Sequence, residues 1–171
     1  MNMLIHKQLK RFFFFRRDLV KRKFKRSLPL NELFTNRWER AQYLGFGEKS
    51  SIYDSSVVFG EISVGKNTWI GPFTILDGSG GLEIGDNCSI SAGVQIYSHD
   101  SVKWAVSGGK EPYEYSPTNV GDNCYIGPNV IIVRGVIIGD NCIIGANSFV
   151  NKSFPAGSKI AGNPAKEIRK S

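Results

Sequence analysis

Histidine is the side chain best suited to exchange a proton near neutral pH, and this chain has two of them. His6 lies in a strongly basic segment, where a solvated or packing role is expected. His99 lies where a regular repeat stops, and it is followed by Asp100, which could orient its ring or simply open the loop that follows. His99 is therefore the candidate general base.

The three cysteines could in principle bind a metal or do redox chemistry, but their positions follow the same repeat. Cys88, Cys124 and Cys142 each come directly after Gly-Asp-Asn, so we expect them to stack as small inward-facing residues on successive coils. Their odd number and unpaired spacing fit a reducing compartment. We predict no metal site, because zinc needs several ligands and this region offers a single histidine.

The repeat that must position these residues has a period of six. The second place of each hexad is often Gly, and the fifth place is often small. A sustained hexapeptide period predicts a mainly β protein, a parallel β-helix in which each hexad is one short strand and a turn. Three hexads close one triangular coil, and the aliphatic residue of each hexad points inward. These aliphatic residues are Ile52, Val58, Val64, Ile70, Ile84, Ile90, Ile96, Val120, Ile126, Ile132, Ile138, Ile144 and Val150.

The period is interrupted twice. A short insertion follows Asp77, and a long one, residues 100–119, follows His99. From Ile96 to Val120 the chain advances 24 residues, a multiple of six, so the coil resumes in phase after the loop. Loops of this length in compact folds are usually functional or disordered, and the aromatic residues of this one favour an ordered flap.

The hexads, the segment GDNCYIGPNVIIVRGVIIGDNCIIGANSFV and the closing FPAGSKIAGNPAKEIRK resemble the hexapeptide-repeat acyltransferases. These are related to the galactoside and maltose O-acetyltransferases and to the O-antigen and capsule sugar acetyltransferases. The resemblance covers about residues 50 to 171 and implies a left-handed parallel β-helix. We therefore predict a basic, helical N-terminal segment and cap over 1–49, the β-helix over 50–155 with the loop 100–119, and a C-terminal closing segment over 156–171.

The resemblance implies transfer of an acetyl group from acetyl-CoA to a sugar hydroxyl in surface-polysaccharide biosynthesis. His99 would be the general base, and the acceptor would attack directly, without a covalent enzyme intermediate. Asp77 is a candidate for holding the acceptor hydroxyl. Trp104, Tyr113 and Glu114 are candidates for lining the acceptor pocket, because sugar rings stack on aromatic faces.

The same resemblance places the pantetheine arm of CoA in a groove between neighbouring prisms. Small residues would let the arm approach the backbone, and Lys and Arg side chains would meet its phosphates. The positions that match the family's cofactor contacts are Gly127, Ala146, Asn151, Lys152, Lys166 and Arg169. A single convex prism has no concave site, so we predict a homotrimer with three sites at the subunit boundaries.

Two alternatives stay open at this stage. One is N-acylation of an amino sugar, for example a nucleotide-linked one, since His99 can serve either acceptor. The other is a non-enzymatic β-helix binding module with a membrane-binding arm. The sequence does not choose between free, nucleotide-linked and lipid-linked sugar acceptors.

The basic arm consists of residues 1–26, which hold ten Lys/Arg and one acid, a net charge of +9; the rest of the chain has a net charge of −2. Its apolar residues recur at helical intervals. The arm is predicted to lie in a membrane interface or to cap the open end of the prism, with nucleic acid the least favoured partner. Because there is no spanning stretch and no signal-peptide pattern, we expect a cytoplasmic protein with peripheral contact at the inner membrane face.

Overall fold

The computed structural model describes residues 3–168, which form two compact units that divide after Asn36. The first unit contains the helix α1 (Met3–Phe24) and a 3-10 turn (Asn31–Leu33). Within this unit the Arg16 Nε donates a hydrogen bond to the Leu33 carbonyl at 3.1 Å. In residues 3–168 no helix is both long and apolar enough to cross a bilayer.

The second unit consists mainly of short strands, with a helix α2 (Arg37–Tyr43) before them and a helix α3 (Val102–Val106) inside the long loop. The strands are β1 (Ser51–Ile52), β2 (Val57–Val64), β3 (Trp69–Ile70), β4 (Ile75–Ile84), β5 (Ser89–Ile90), β6 (Gln95–Ile96), β7 (His99–Asp100), β8 (Glu114–Tyr115), β9 (Thr118–Val120), β10 (Tyr125–Ile126), β11 (Ile131–Ile132), β12 (Ile137–Ile138), β13 (Ile143–Ile144), β14 (Phe149–Val150), β15 (Lys159–Ala161) and β16 (Lys166–Glu167).

In residues 51–161 the coil strands pair in parallel, coil on coil, and form three ladders with their aliphatic residues turned inward. The first ladder contains Ile52, Ile70, Ile90, Ile126, Ile144 and Ile160. The second contains Val58, Leu76, Ile96, Ile132 and Val150. The third contains Val64, Ile84, Val120 and Ile138. Successive rungs of a ladder lie about 4.8 Å apart. The predicted parallel β-helix of hexapeptide repeats is confirmed.

The Gly-Asp-Asn corners explain why the cysteines recur. The asparagines at these corners adopt a positive φ, for example 55° at Asn87 and 58° at Asn123, which asparagine tolerates better than most residues. The Asp122 carboxylate accepts the backbone N–H of Asp86, one coil away, at 2.7 Å. The following Cys88 is buried, and its Sγ contacts the carbonyl oxygen of Gly121 on the next coil at 3.1 Å. The cysteines therefore stack inward, as predicted, in the role of small core residues.

Residues outside the hexads close the coil at its ends. At the first coil, Ala41 and Phe46 enter the core, and the Arg40 Nη2 donates to the Ser56 carbonyl at 2.8 Å. Residues within 37–46 therefore contribute a cap that belongs to the second unit. At the other end Ile160 pairs with Ile144, so the coil continues beyond the predicted boundary at residue 155.

The long loop is folded rather than irregular. Its two ends, β7 and β8, pair antiparallel, with His99 opposite Tyr115 and Asp100 opposite Glu114. Helix α3 lies between these strands. We call residues 99–115 the flap; it leaves the coil at the edge between the second and third ladders.

Candidate active site

A bulge in the coil brings Asp77 to His99. Asp77 follows Leu76 of the second ladder, and the pairing of β2 with β4 shifts register just after this point. The Asp77 side chain is fully buried at this corner of the coil. On the next rung, Ser98 and His99 lie directly against it, and Asp77 Oδ2 contacts His99 Nδ1.

The Asp77 carboxylate is held by donors on all sides. Its Oδ1 accepts a hydrogen bond from the Ser79 N–H at 2.8 Å. Its Oδ2 accepts one from the Ser98 N–H at 3.2 Å and also contacts His99 Nδ1. Burial opposes ionisation, but the hydrogen bonds from Ser79, His99 and Ser98 outweigh it and hold the pKa of Asp77 below its usual value. Asp77 is therefore ionised at neutral pH.

An ionised carboxylate can only accept hydrogen bonds, so Asp77 selects one tautomer of His99. The ring carries its proton on Nδ1 and donates it to Asp77, which leaves a lone pair on Nε2. The His99 side chain is 26% exposed, so this lone pair can reach a molecule bound outside the coil. The pair has the chemistry of an oriented general base.

Aromatic side chains of the flap flank the His99 ring. Tyr113 and Tyr115 lie nearly parallel to it, with ring centroids 6.2 and 5.9 Å from that of His99. Trp104 packs edge-on against Tyr113 at 5.5 Å. All three side chains remain exposed, so they can offer apolar faces to a ligand beside His99.

Arg134, which the sequence analysis did not single out, fastens the base of the flap to the coil. It follows Ile132, one rung beyond His99 on the second ladder. Its guanidinium contacts Asp100 on β7 and Glu114 on β8, the latter at 2.8 Å. Glu114 also binds Lys103 of α3 at 2.8 Å. The hydrogen bond from the Arg134 guanidinium is the main reason why the pKa of Asp100 lies below its usual value.

These contacts bear on three of the sequence-based expectations. The carboxylate that orients His99 is Asp77 rather than Asp100, because neighbouring residues of a strand point to opposite sides and Asp100 faces Arg134. Asp77 is not free to hold an acceptor hydroxyl, since it is buried and its oxygens are committed. Glu114 is engaged by Arg134 and Lys103, which makes it a bridge within the flap rather than an open pocket wall.

The residues expected to contact the cofactor are spread over the prism. Gly127 and Ala146 lie on neighbouring rungs of the first ladder, where a Cβ on Gly127 would come 2.7 Å from the Ala146 nitrogen. Glycine at 127 is thus required by coil stacking. Asn151 and Lys152 are exposed on the flap edge, two rungs or about 10 Å beyond His99. Lys166 is exposed on β16 at the end of the first ladder, and Arg169 lies outside the described residues.

One prism therefore carries the candidate residues on two different edges. His99 and its partners lie between the second and third ladders, whereas the Gly127 and Ala146 corner lies between the first and second.

No three His, Cys, Asp or Glu side chains within residues 3–168 converge as they would around a metal ion. A hydrogen bond with Cys88 and, to a lesser extent, burial raise the pKa of Cys124. Cys124 therefore stays a neutral core thiol.

A parallel β-helix interrupted by a flap with a histidine at its base is the architecture that the sequence resemblance implies. Two family profiles match this chain: bacterial transferase hexapeptide (six repeats) over residues 117–152, and hexapeptide repeat of succinyl-transferase over residues 61–98. These matches confirm the sequence resemblance to the hexapeptide-repeat acyltransferases. The left hand expected for the coil follows from that resemblance.

Curated relatives match part of the chain. Protein CapG of Staphylococcus aureus is 42% identical over 90 residues, which is 52% of this chain and 52% of CapG. A 2,3,4,5-tetrahydropyridine-2,6-dicarboxylate N-acetyltransferase of Staphylococcus carnosus is 45% identical over 64 residues, 37% of this chain and 27% of that protein. The chain thus spans about half the length, or less, of the curated relatives it matches.

A solved structure covers more of the chain. A hexapeptide-repeat acetyltransferase from Vibrio cholerae, solved in complex with acetyl-CoA, superposes with a TM-score of 0.69 and 27% identity, over 90% of this chain and 84% of that one. AntD, an N-acyltransferase from Bacillus cereus solved with dTDP and CoA, superposes with a TM-score of 0.65 and 25% identity, over 72% and 71% of the two chains.

Proposed function

We propose that this protein transfers an acyl group, acetyl in the first instance, from acyl-CoA to a sugar. The observation that carries the proposal is the contact of His99 Nδ1 with the buried Asp77 carboxylate, at the base of an aromatic flap. The likeness to an acetyltransferase solved with acetyl-CoA supports the choice of donor.

The proposed mechanism needs no enzyme nucleophile, because the thioester is already activated. His99 Nε2 removes the proton of the acceptor as the acceptor oxygen attacks the thioester carbonyl. The positive charge that develops on the imidazole is stabilised by Asp77. The tetrahedral oxyanion requires backbone N–H donors, which coil corners can offer. When the C–S bond breaks, the protonated His99 returns its proton to the departing thiolate.

A sugar hydroxyl of a surface-polysaccharide unit is our first candidate acceptor. A hydroxyl must lose its proton as it attacks, whereas a neutral amine is already a nucleophile, so an aligned carboxylate–histidine pair is of most use to O-acylation. N-acylation of a nucleotide-linked amino sugar is the second candidate, and the likeness to AntD favours it. Tyr113 and Trp104 would stack on the sugar in either case.

The acceptor experiment can distinguish the two. The purified protein is incubated with acetyl-CoA and a panel of free, nucleotide-linked and lipid-linked sugars, and free CoA and product mass are followed. Mild alkali cleaves an O-acetyl ester but not an N-acetyl amide, so product stability assigns the bond. If no sugar of the panel raised CoA release above the rate of spontaneous hydrolysis, the proposal would be contradicted and a binding module would be favoured.

We further propose that the active unit is a homotrimer, in which His99 of one subunit faces the Gly127 and Ala146 edge of its neighbour. The support is geometric: the two sets of residues lie on different edges of one prism, so a shared site requires a second copy. Exposed Tyr125 and Ile143, neighbours on the outer side of the first ladder, offer apolar contact surface.

Complementation tests this arrangement. His99→Ala and Ala146→Trp each remove one half of a site, and Ala146 is exposed, so the larger side chain need not disturb the core. After co-refolding of equal amounts, random assortment leaves about a quarter of the sites with both halves intact, and about a quarter of the activity should return. If the mixture stayed inactive, or if wild-type protein sedimented as a monomer, the shared site would be wrong.

A further inference from the structure

Helix α1 exposes more large apolar side chains than a helix in water should. Among the described residues of α1, only Val20 is buried. Aliphatic and aromatic residues along its length are between about two-fifths and three-quarters exposed. They are Met3, Leu4, Ile5, Leu9, Phe12, Phe14, Phe15, Leu19 and Phe24.

The apolar and basic residues of α1 are partly segregated around the helix. With 3.6 residues per turn, one side collects Leu4, Ile5, Leu9, Phe12, Phe15 and Leu19. Arg16, Arg22 and Lys23 border or enter this side in the C-terminal half of the helix. The opposite side collects Lys7, Lys10, Arg11, Arg17 and Lys21, together with Met3 and Phe14. Over residues 3–24 there are eight Lys/Arg and one acid, Asp18, so the helix has a net charge of +7.

The rest of the first unit covers only part of the apolar side. Phe34 packs against Phe12 with ring centroids 5.7 Å apart, and the Arg16 guanidinium lies 5.6 Å over the Phe34 ring. Phe12 is nevertheless 53% exposed, and Phe15, further around the helix, is 60% exposed. An apolar strip beside strong positive charge is therefore left open.

We propose that α1 lies in the interface of a membrane that contains anionic lipid. The apolar strip would enter the boundary between head groups and acyl chains, and the Lys and Arg stems would lie along that boundary with their charges on lipid phosphates. Charge complementarity favours this occupant: nucleic acid would satisfy the basic side but would leave the Leu and Ile side chains in water. A second copy of α1 would cover the strip but would bring like charges together. The proposal does not depend on the acyl-transfer reaction.

Vesicle binding of the full chain tests the proposal. The protein is centrifuged with vesicles of phosphatidylcholine containing about 30% phosphatidylglycerol, and with pure phosphatidylcholine vesicles, at low salt. We expect binding to the anionic vesicles, at least tenfold weaker binding to the neutral ones, and strong weakening of the former at about 0.5 M salt.

Two neighbouring phenylalanines provide a matched pair of variants. Phe15→Gln replaces an aromatic ring of the apolar strip by a polar amide and should lower the partition coefficient about tenfold, because burial of the ring favours the bound state. Phe14→Gln makes the same change on the basic side and should alter the partition coefficient less than about twofold. Circular dichroism of both variants confirms that the fold is unchanged.

Three outcomes would overturn the proposal. The first is no binding to anionic vesicles, and the second is equal effects of the two substitutions. The third is a different occupant: tight, salt-sensitive binding of a short DNA duplex without vesicle binding, or self-association that Phe15→Gln abolishes while vesicles stay unbound.

Discussion

Replacing Asp77 with asparagine keeps the shape of the side chain but replaces one acceptor oxygen by an NH2 donor. Three donors, the N–H groups of Ser79 and Ser98 and the His99 ring, face this side chain. In the wild type, Oδ1 accepts from Ser79 while Oδ2 faces the Ser98 N–H and His99 Nδ1. An amide NH2 in place of Oδ2 would face two donors. The His99 ring would then have to accept through Nδ1 and carry its proton on Nε2, which removes the lone pair required for catalysis.

The magnitude follows from these contacts. Loss of the correct tautomer should lower kcat by about 10²–10⁴, the usual contribution of a general base. One buried N–H, that of Ser98, would be left without an acceptor, which should cost about 1–3 kcal/mol in the free energy of unfolding. If the amide flips instead, the Ser79 N–H loses its partner, and the stability loss is similar while the activity loss is smaller.

The pH dependence provides a second signature. The pKa of Asp77 is lower in the folded protein than the usual value of about 3.9, so its ionisation stabilises the fold above that pH. This contribution is lost as the pH falls through the folded-state pKa. As the pH falls below about 4, Asp77→Asn should therefore show a shallower loss of stability than the wild type.

Acceptor-dependent CoA release gives kcat and KM, and urea unfolding at several pH values gives stability. Asp100→Asn is the matched control, because it makes the same change in the residue next to His99 on β7, where the side chain faces Arg134, and leaves the Asp77 contact intact. Comparable kcat in Asp77→Asn and wild type, or a larger loss of kcat in Asp100→Asn, would refute the assignment of Asp77 as the orienting carboxylate.

Two further substitutions probe the flap and the coil. Arg134→Ala should release β7 and β8 from the coil and lower kcat/KM about tenfold, mainly through KM for the acceptor, because misplaced groups lose productive geometry. Arg134→Lys should recover only part of this kcat/KM, since lysine cannot fork between Asp100 and Glu114. Lys103→Ala removes an exposed ion pair and should change kcat/KM less than about twofold. If Arg134→Ala left KM unchanged, the flap would not depend on this bridge. Gly127→Ala should destabilise the fold by about 1–3 kcal/mol, because its Cβ would lie 2.7 Å from the Ala146 nitrogen. Ala146 is exposed, so Ala146→Ser should leave the free energy of urea unfolding almost unchanged. Equal stability of the two variants would contradict the stacking argument.

The fold could be predicted from the sequence because the hexad pattern is local and repeats many times. Each inward aliphatic residue, such as Ile126 or Ile144, repeats the same information about strand, turn and core. The position of His99 at the base of the flap was predictable for the same reason, since the break in the period is visible without coordinates. The Asn corners and the stacked cysteines follow from the same register.

The partners of His99 were not predictable, because they come from other rungs of the coil. Asp77 lies 22 residues earlier in the chain, just before the register shift of its strand, and it meets His99 only because the coil stacks the two rungs. Arg134 lies one rung beyond His99 and has no sequence signal beyond its place at a corner. Asp100 was the nearest carboxylate in sequence, but strand alternation directs it away from the ring. Gly127 was interpreted as a cofactor contact, and coil stacking gives a second reason for glycine at this position.

The central claim is that His99 is the general base of an acyl transfer, and His99→Ala tests it most directly. With an acceptor identified from the sugar panel, the pH profile of kcat/KM is measured for wild type and variant by CoA release. We predict a loss of about 10²–10⁴ in turnover with the fold retained, and disappearance of the acid limb that is expected in the wild-type profile. A variant that kept more than about a tenth of the wild-type rate, with the same acid limb, would contradict it.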